Sequence, residues 1–263
     1  MSAPIITLTT DFGSDSPYVA QMKGAMLSIN PFARIVDITH SVPAQGIRQA
    51  AWVLVDSCHF FPEDTIHVVI VDPGVGSDRG VLLARYDGHE FVCPDNGLLT
   101  GIAHGSRAES IFSVQNLKYW RAEVSMTFHG RDVMGPVAAH RSLGVVPREF
   151  GPPIEEIVKL RWSTPQVENG EVEGLIEQID SLGNLISDLP SSLVETLGSP
   201  DSVSVRIGSA ADIPIVDHYQ AATSGSIIAL IGSHGRLEIA VVNGEAAQVI
   251  GAKFGDAIVV YRR

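Results

Sequence analysis

Cysteine is scarce in this 263-residue chain, and its scarcity removes two classes of protein at once. The two that occur, Cys58 and Cys93, make neither a metal-type pair nor a disulfide framework, and that usage fits a reducing cytoplasm. Cys93 follows an apolar run and reads as a small hydrophobe. The N-terminus has no basic n-region and no long apolar h-region, so no signal peptide is expected. No apolar stretch approaches the length that spans a bilayer, so no membrane association is expected. Basic residues are few: 18 Lys and Arg stand against 30 Asp and Glu, a formal net charge of -12. A chain this acidic repels phosphate backbones, which argues against nucleic acid as a partner. It suits a small or cationic ligand, and equally a merely soluble surface. Paired metal-ligand spacing is missing as well. His59, His67, His89, His104, His140 and His218 show none, so no metal is expected. There is no internal repeat and no low-complexity tract.

What is there is a hydrophobic fraction of 45%, enough to fill a core. Three segments end an apolar run on a residue type that does chemistry. They are residues 5–13, leading to Asp11; residues 67–79, leading to Asp72 and then Arg79; and residues 127–132, centred on His129. Each reads as a buried strand followed by a tight turn. Ligands of open parallel sheets sit just beyond the carboxyl ends of the strands, so these side chains are expected to converge on one crevice.

Along the chain, strands are expected at residues 5–10, 33–39 and 66–71, with helices at 17–29 and 46–60 between them. Residues 81–86 and 90–93 pair as a hairpin across Asp87-Gly88. A helix is expected over 130–141, directly after the His129 segment. This order predicts an α/β domain with a mostly parallel sheet over residues 1–162. Residues 163–170 are polar and turn-rich and read as a linker. Beyond it, short strands recur at 172–179, 185–187, 227–231, 237–242 and 257–261, with one short helix at 193–197. That pattern predicts a small β-barrel or sandwich over residues 171–263.

Each candidate residue has a functional and a plain reading. Asp72, Arg79 and His129 form an acid, cation and base set; a surface salt bridge beside an ordinary turn explains the same spacing. His129 alone would read as a core histidine, and His40 as supporting or structural. Asp11 is placed to take ribose hydroxyls or to cap a helix. Asn96, in Pro94-Asp95-Asn96-Gly97, is placed in a turn where its amide matches an adenine edge. Asp180 to Asn184 reads first as a hairpin turn.

Taken in order, Thr10-Asp11-Phe12-Gly13, Tyr18 to Gly24, Val71-Asp72-Pro73-Gly74-Val75-Gly76 with Arg79, Pro94 to Thr100, Phe128-His129-Gly130-Arg131-Asp132, Asp180 to Asn184, and Gly232-Ser233 to Ala240 are collinear over nearly the whole chain. Together they resemble the S-adenosyl-L-methionine (SAM) hydrolases that form adenosine, the SAM hydroxide adenosyltransferases related to fluorinase and chlorinase. The resemblance implies an N-terminal α/β domain, a C-terminal β-barrel and a homotrimer with SAM between subunits. It implies hydrolysis of SAM to adenosine and L-methionine by attack of an activated water on ribose C5′, with no cofactor and no metal. Asp72, Arg79 and His129 become the water-handling triad, and Asp11 the ribose ligand. Asp180, Asn184 and Ser233 hold the methionine part, and Asn96 and Tyr219 serve the adenine side. Ser16, beside Asp15, stands where many relatives carry Asp, and His234 is uncommon after the serine. The long fluorinase-type insertion between Arg79 and Pro94 is missing, which favours water over halide. The competing readings are a chlorinase-like SAM-dependent halide transferase, a SAM or adenosine sensor without turnover, and a metal hydrolase using Asp11, His40, Asp72 and His129, which chelator sensitivity would single out.

Overall fold

β-Branched residues dominate the first strand, β1 (Ile5–Thr10), and all but its first residue are buried, as expected for a strand covered on both faces. The computed structural model describes residues 5–162 and 164–263, and these form two compact units that part after Trp162. In the first unit, α1 (Tyr18–Ile29) leads from β1 to β2 (Arg34–Thr39), and α2 (Ile47–Ser57) leads on to β3 (Ile66–Ile70). A hairpin of β4 (Val81–Tyr86) and β5 (His89–Pro94) follows, then α3 (Thr100–Gly105) and β6 (Ala108–Ser113). The sheet order is β2-β1-β3-β5-β4-β6. β2, β1, β3 and β5 run parallel, and β4 pairs antiparallel with both β5 and β6, so the sheet is mixed.

Alternation along β3 sorts the core into two layers. Val68 and Ile70 join Met22 and Met26 of α1 and the segment 133–139 on one face. Val69 joins Ala50 and Leu54 of α2, with Leu98 and Leu99, on the other. The register sets Thr10 opposite Ile70, so the chain leaves β1 and β3 side by side at one edge.

The His129 segment differs from its expectation. Residues 121–128 form an irregular loop, not a strand, with Phe128 N–H donating to Ser125 O in a turn. Two apolar residues, Met126 and Phe128, are too short a run to enter a sheet, and Met126 is exposed. The helix after it begins as a five-residue π-helical turn (Gly130–Met134) before α4 (Gly135–Ser142). Such turns concentrate at functional sites.

The second unit is an antiparallel barrel. It contains β7 (Val167–Glu168), β8 (Glu171–Ile179), β9 (Leu185–Pro190), α5 (Ser191–Glu195), β10 (Val203–Ile207), β11 (Ala210–Ile213), β12 (Ile227–Ile231), β13 (Arg236–Val241), α6 (Ala246–Ile250) and β14 (Ala257–Arg262). The strand order is β11-β10-β14-β8-β9-β13-β12, and a bridge from Ile215 to Ala229 brings the two ends together. Inward residues such as Val172, Ile176, Val205, Ile239 and Ile258 fill the interior. Within the segment read as a linker, Ser163 lies outside the described residues, and β7 pairs with β8. Among the described residues no helix is long and apolar enough to cross a membrane.

One buried polar chain crosses the first unit's sheet. Thr7 Oγ1 lies 2.7 Å from His67 Nδ1, and His67 Nε2 lies 3.3 Å from His89 Nδ1. His67 is fully buried, and burial, followed by repulsion from His89, lowers its pKa to about 3. The unfolded chain takes up this proton near the ordinary histidine value while the folded chain refuses it. Stability therefore falls as pH drops below that value, at up to ~1.4 kcal/mol per pH unit from this residue, until pH nears 3. His67→Gln is expected to lose about 2 kcal/mol less than the parent chain between pH 7 and pH 5 in urea unfolding. An unchanged pH slope would mean that His67 is protonated in the folded state.

Candidate active site

The site is built on the shared edge of β1 and β3. Asp72 follows β3, and the loop 73–78 turns the chain back so that Arg79 covers it. Arg79 Nε donates to both carboxylate oxygens of Asp72 at 3.0 and 3.1 Å, and Nη2 donates to Oδ2 at 2.6 Å. The pair is largely withdrawn from water, with side-chain exposures of 5% for Asp72 and 11% for Arg79. Arg79 Nη2 also meets His129 Nδ1 at 2.8 Å. A guanidinium only donates, so His129 Nδ1 accepts and the neutral ring carries its proton on Nε2. Burial, and then the Arg79 charge, hold the His129 pKa below its ordinary value, with Asp72 and Asp132 opposing.

A cavity of about 260 Å³ opens beside this triad, lined by Asp11, Gln45, Asp72, Phe128 and His129 among others. Asp11 Oδ2 accepts the Gln45 N–H at 2.9 Å, which fixes the carboxylate at the cavity wall. Phe12, Tyr18 and Phe128 pack edge to face at 5.4–6.0 Å and form an aromatic wall beside it. Asp11, Asp72 and His129 thus meet as their spacing predicted, although His129 arrives on a helix start.

The loop that delivers His129 is held from two sides. Gly76 has φ +80°, and a Cβ there would sit 2.4 Å from the Met126 carbonyl oxygen. The two loops therefore touch through backbone. On the far side, the fully buried Asp132 accepts from Arg131 at 2.7 and 2.8 Å and from Ser125 N–H at 2.9 Å. Asp132 was given no role from sequence; its place directly after the His-Gly-Arg run was the available signal.

Asn96 sits behind the triad. Its Nδ2 donates to Val71 O at 2.9 Å, pinning the residue before Asp72, and its buried Oδ1 has no partner. His40 Nδ1 lies 2.9 Å from Thr10 Oγ1 and its carbonyl accepts Gly13 N–H at 2.8 Å, so it supports the Asp11 turn. Ser16 Oγ donates to Phe12 O at 3.1 Å, closing that same turn.

In the barrel, Asp180 organises its own hairpin. It accepts from the backbone of Leu182 and Asn184 and from Asn184 Nδ2 at 2.8–2.9 Å. Ser233 and His234 are exposed in the turn between β12 and β13. The β9–β13 register, with Ile239 opposite Leu185 and Arg236 opposite Pro190, puts that turn and the Asp180–Asn184 turn at opposite ends of the strand pair. These residues do not form one tight cluster. Tyr219 donates its hydroxyl to the buried Glu238, and burial, followed by Glu238, raises its pKa. Among the described residues no three His, Cys, Asp or Glu side chains gather as metal ligands would.

Two family models match the chain in order. That for the SAM hydroxide adenosyltransferase N-terminal domain matches residues 6–151, and that for the C-terminal domain matches residues 174–259. The chain is 34% identical to an (R)-S-adenosyl-L-methionine hydrolase of Salinispora arenicola, covering 98% of this chain and 97% of the relative. It is 29% identical to a fluorinase of an Actinoplanes species, covering 90% of each. A solved structure of an uncharacterised conserved protein from Thermotoga maritima superposes with a TM-score of 0.94 at 35% identity, covering 98% of this chain and all of that one.

Proposed function

We propose, for a chain that belongs to the SAM hydroxide adenosyltransferase family, that Asp72, Arg79 and His129 prepare the water that attacks ribose C5′. The protein is an enzyme that hydrolyses SAM to adenosine and L-methionine. The chemistry needs little beyond an oriented, partly deprotonated water. The sulfonium already activates C5′, and methionine leaves as a neutral thioether, so neither a leaving-group acid nor a cofactor is required.

The observation that carries this reading is the Arg79 Nη2 to His129 Nδ1 contact. With Nδ1 occupied, His129 offers Nε2–H, a donor that stabilises hydroxide character on the water, and Arg79 adds its charge. Asp72 is a carboxylate with about four acceptor positions, three of them taken by Arg79, and we read the remaining one as the acceptor of the water's proton. Asp11 binds the ribose hydroxyls. Asn96, which gives one of its two Nδ2 hydrogens to Val71 O, is read as serving the adenine side through the groups that remain. Ser233 holds the methionine end. Asp180 and Asn184 lie at the opposite end of the β9–β13 pair and are read as serving another part of an extended ligand. A carboxylate at the nucleophile's position repels halide, which disfavours the fluorinase-type reaction.

The test is turnover in ¹⁸O-labelled water with chloride present. The label is expected in the adenosine 5′-hydroxyl. Label in methionine, or 5′-chloro-5′-deoxyadenosine as main product, would overturn the reading. Binding of SAM with no product would favour a sensor.

The site is further read as shared within a cytoplasmic homotrimer. This reading follows the family resemblance, which implies SAM held between neighbouring subunits. Mixing Asp72→Ala chains with Asp180→Ala chains is expected to restore part of the lost activity. Mixed assemblies that stay inactive would place each site within one subunit.

A further inference from the structure

We infer that Asp132 is a positioning residue for the hydrolysis, acting on His129 through the 121–129 loop and through its own charge; this rests on the reading of the triad given above. The residue joins three backbone segments through its main-chain carbonyl and its carboxylate. The Arg131 guanidinium grips it through Nε and Nη2, Ser125 N–H donates to Oδ2 from the middle of the loop, and its own carbonyl accepts Arg121 N–H at 2.9 Å at the loop's start. Arg121 Nη1 stands a further 3.7 Å from Oδ1. One residue thereby ties the beginning and middle of an irregular loop to the π-helical turn that follows His129. Arg131 also lies over the Phe128 ring at 4.9 Å, which fixes the residue before His129.

A buried carboxylate is costly unless fully paired, and a surface loop needs none for stability alone. Here the pairing locks the loop that sets the distance from His129 to Arg79. The charged groups facing His129 are Arg79 and Asp72 from the loop after β3, Asp132 from its own turn, and Asp11 across the cavity. Asp132 favours the protonated ring and Arg79 opposes it, so Asp132 moderates how far the ring's proton affinity falls.

The experiment compares Asp132→Asn, Arg131→Gln and Glu90→Gln with the parent enzyme by adenosine release across the acid limb, together with thermal unfolding. Glu90 is the matched control, a buried carboxylate of the same unit paired bidentately with Arg141 and absent from the cavity. Asp132→Asn is expected to lower kcat on the order of tenfold to a hundredfold with KM nearly unchanged. It should also move the acid midpoint to lower pH by roughly half a pH unit. Arg131→Gln leaves the Asp132 charge less neutralised and is expected to move the midpoint upward, which tests the idea even if Asp132→Asn folds poorly. Glu90→Gln should lower thermal stability without moving the midpoint. If Asp132→Asn and Arg131→Gln lower only the unfolding temperature, or raise KM with kcat unchanged, the role is structural or in binding and the inference fails. If the parent enzyme itself releases no adenosine, the triad reading fails first.

Discussion

Replacing His129 or Asp72 with alanine is expected to lower kcat for adenosine release on the order of a hundredfold to ten-thousandfold, while calorimetric SAM affinity stays close to that of the parent. On the proposed reading both residues act on the water, whose hydroxide character grows only in the transition state, so their loss leaves ground-state binding largely intact. Asp11→Ala should do the reverse, because ribose hydroxyls are spectators to the displacement. The parent pH profile carries the same signature. His129 must be unprotonated at Nδ1 to accept from Arg79; a second proton would set two donors face to face across 2.8 Å. Burial and Arg79 lower its pKa, so activity is expected to persist below the ordinary histidine value and to fail as pH drops through the lowered one. Normal single-turnover rates for His129→Ala would return His129 to a core histidine and end the triad assignment.

Gly76→Ala is expected to cost about a hundredfold in kcat, although the side chain it adds touches no substrate. Its backbone is in the left-handed region, and the new methyl would meet the Met126 carbonyl oxygen 2.4 Å away. Relief requires the Asp72–Arg79 loop to part from the loop that carries His129. The strain itself should cost roughly 1–3 kcal/mol of stability. Gly24→Ala is the comparison: in α1 a Cβ at Gly24 meets nothing within 4 Å, and the change should be neutral or slightly stabilising. Parent-like turnover in Gly76→Ala would show that the two loops do not hold each other through this contact.

The elements with one clear hydrophobic period were legible before any coordinates. β1, α1, β2 and the β4–β5 hairpin lie within a residue of their expected bounds, and α2 ends three residues early at Ser57, where a 3-10 turn (Cys58–Phe60) takes over; their burial pattern is written locally in alternating or helical spacing. β6 escaped notice because it is an edge strand with mixed exposure, Ala-Glu-Ser-Ile-Phe-Ser, and only Ile111 among its residues is buried. β10, β11 and α6 escaped for a similar reason: they are short and gain their stability from barrel neighbours. The sheet's parallel half was inferable from β-α-β order, whereas the antiparallel pairing of β4 with β6 depends on a return of the chain that no local pattern announces.

Residue types and their order, by themselves, determined the α/β-then-barrel architecture and named Asp11, Asp72, Arg79 and His129 as the chemical set. Those are properties of short windows: a strand that ends on a carboxylate, a glycine-rich turn that lets an arginine fold back. Tertiary structure alone decided what each group touches. Asn96 gives one Nδ2 hydrogen to Val71 O, and Asp132 accepts from Ser125 N–H in the 121–128 loop. Ser233 and the Asp180–Asn184 turn, which the resemblance groups together, lie at opposite ends of a strand pair. The contact that makes His129 a donor joins residues 50 apart in sequence, on two irregular loops that approach closely at Gly76 and Met126. Local propensity sets where a strand stops, but the direction in which a hydrogen bond runs between distant loops is set by packing.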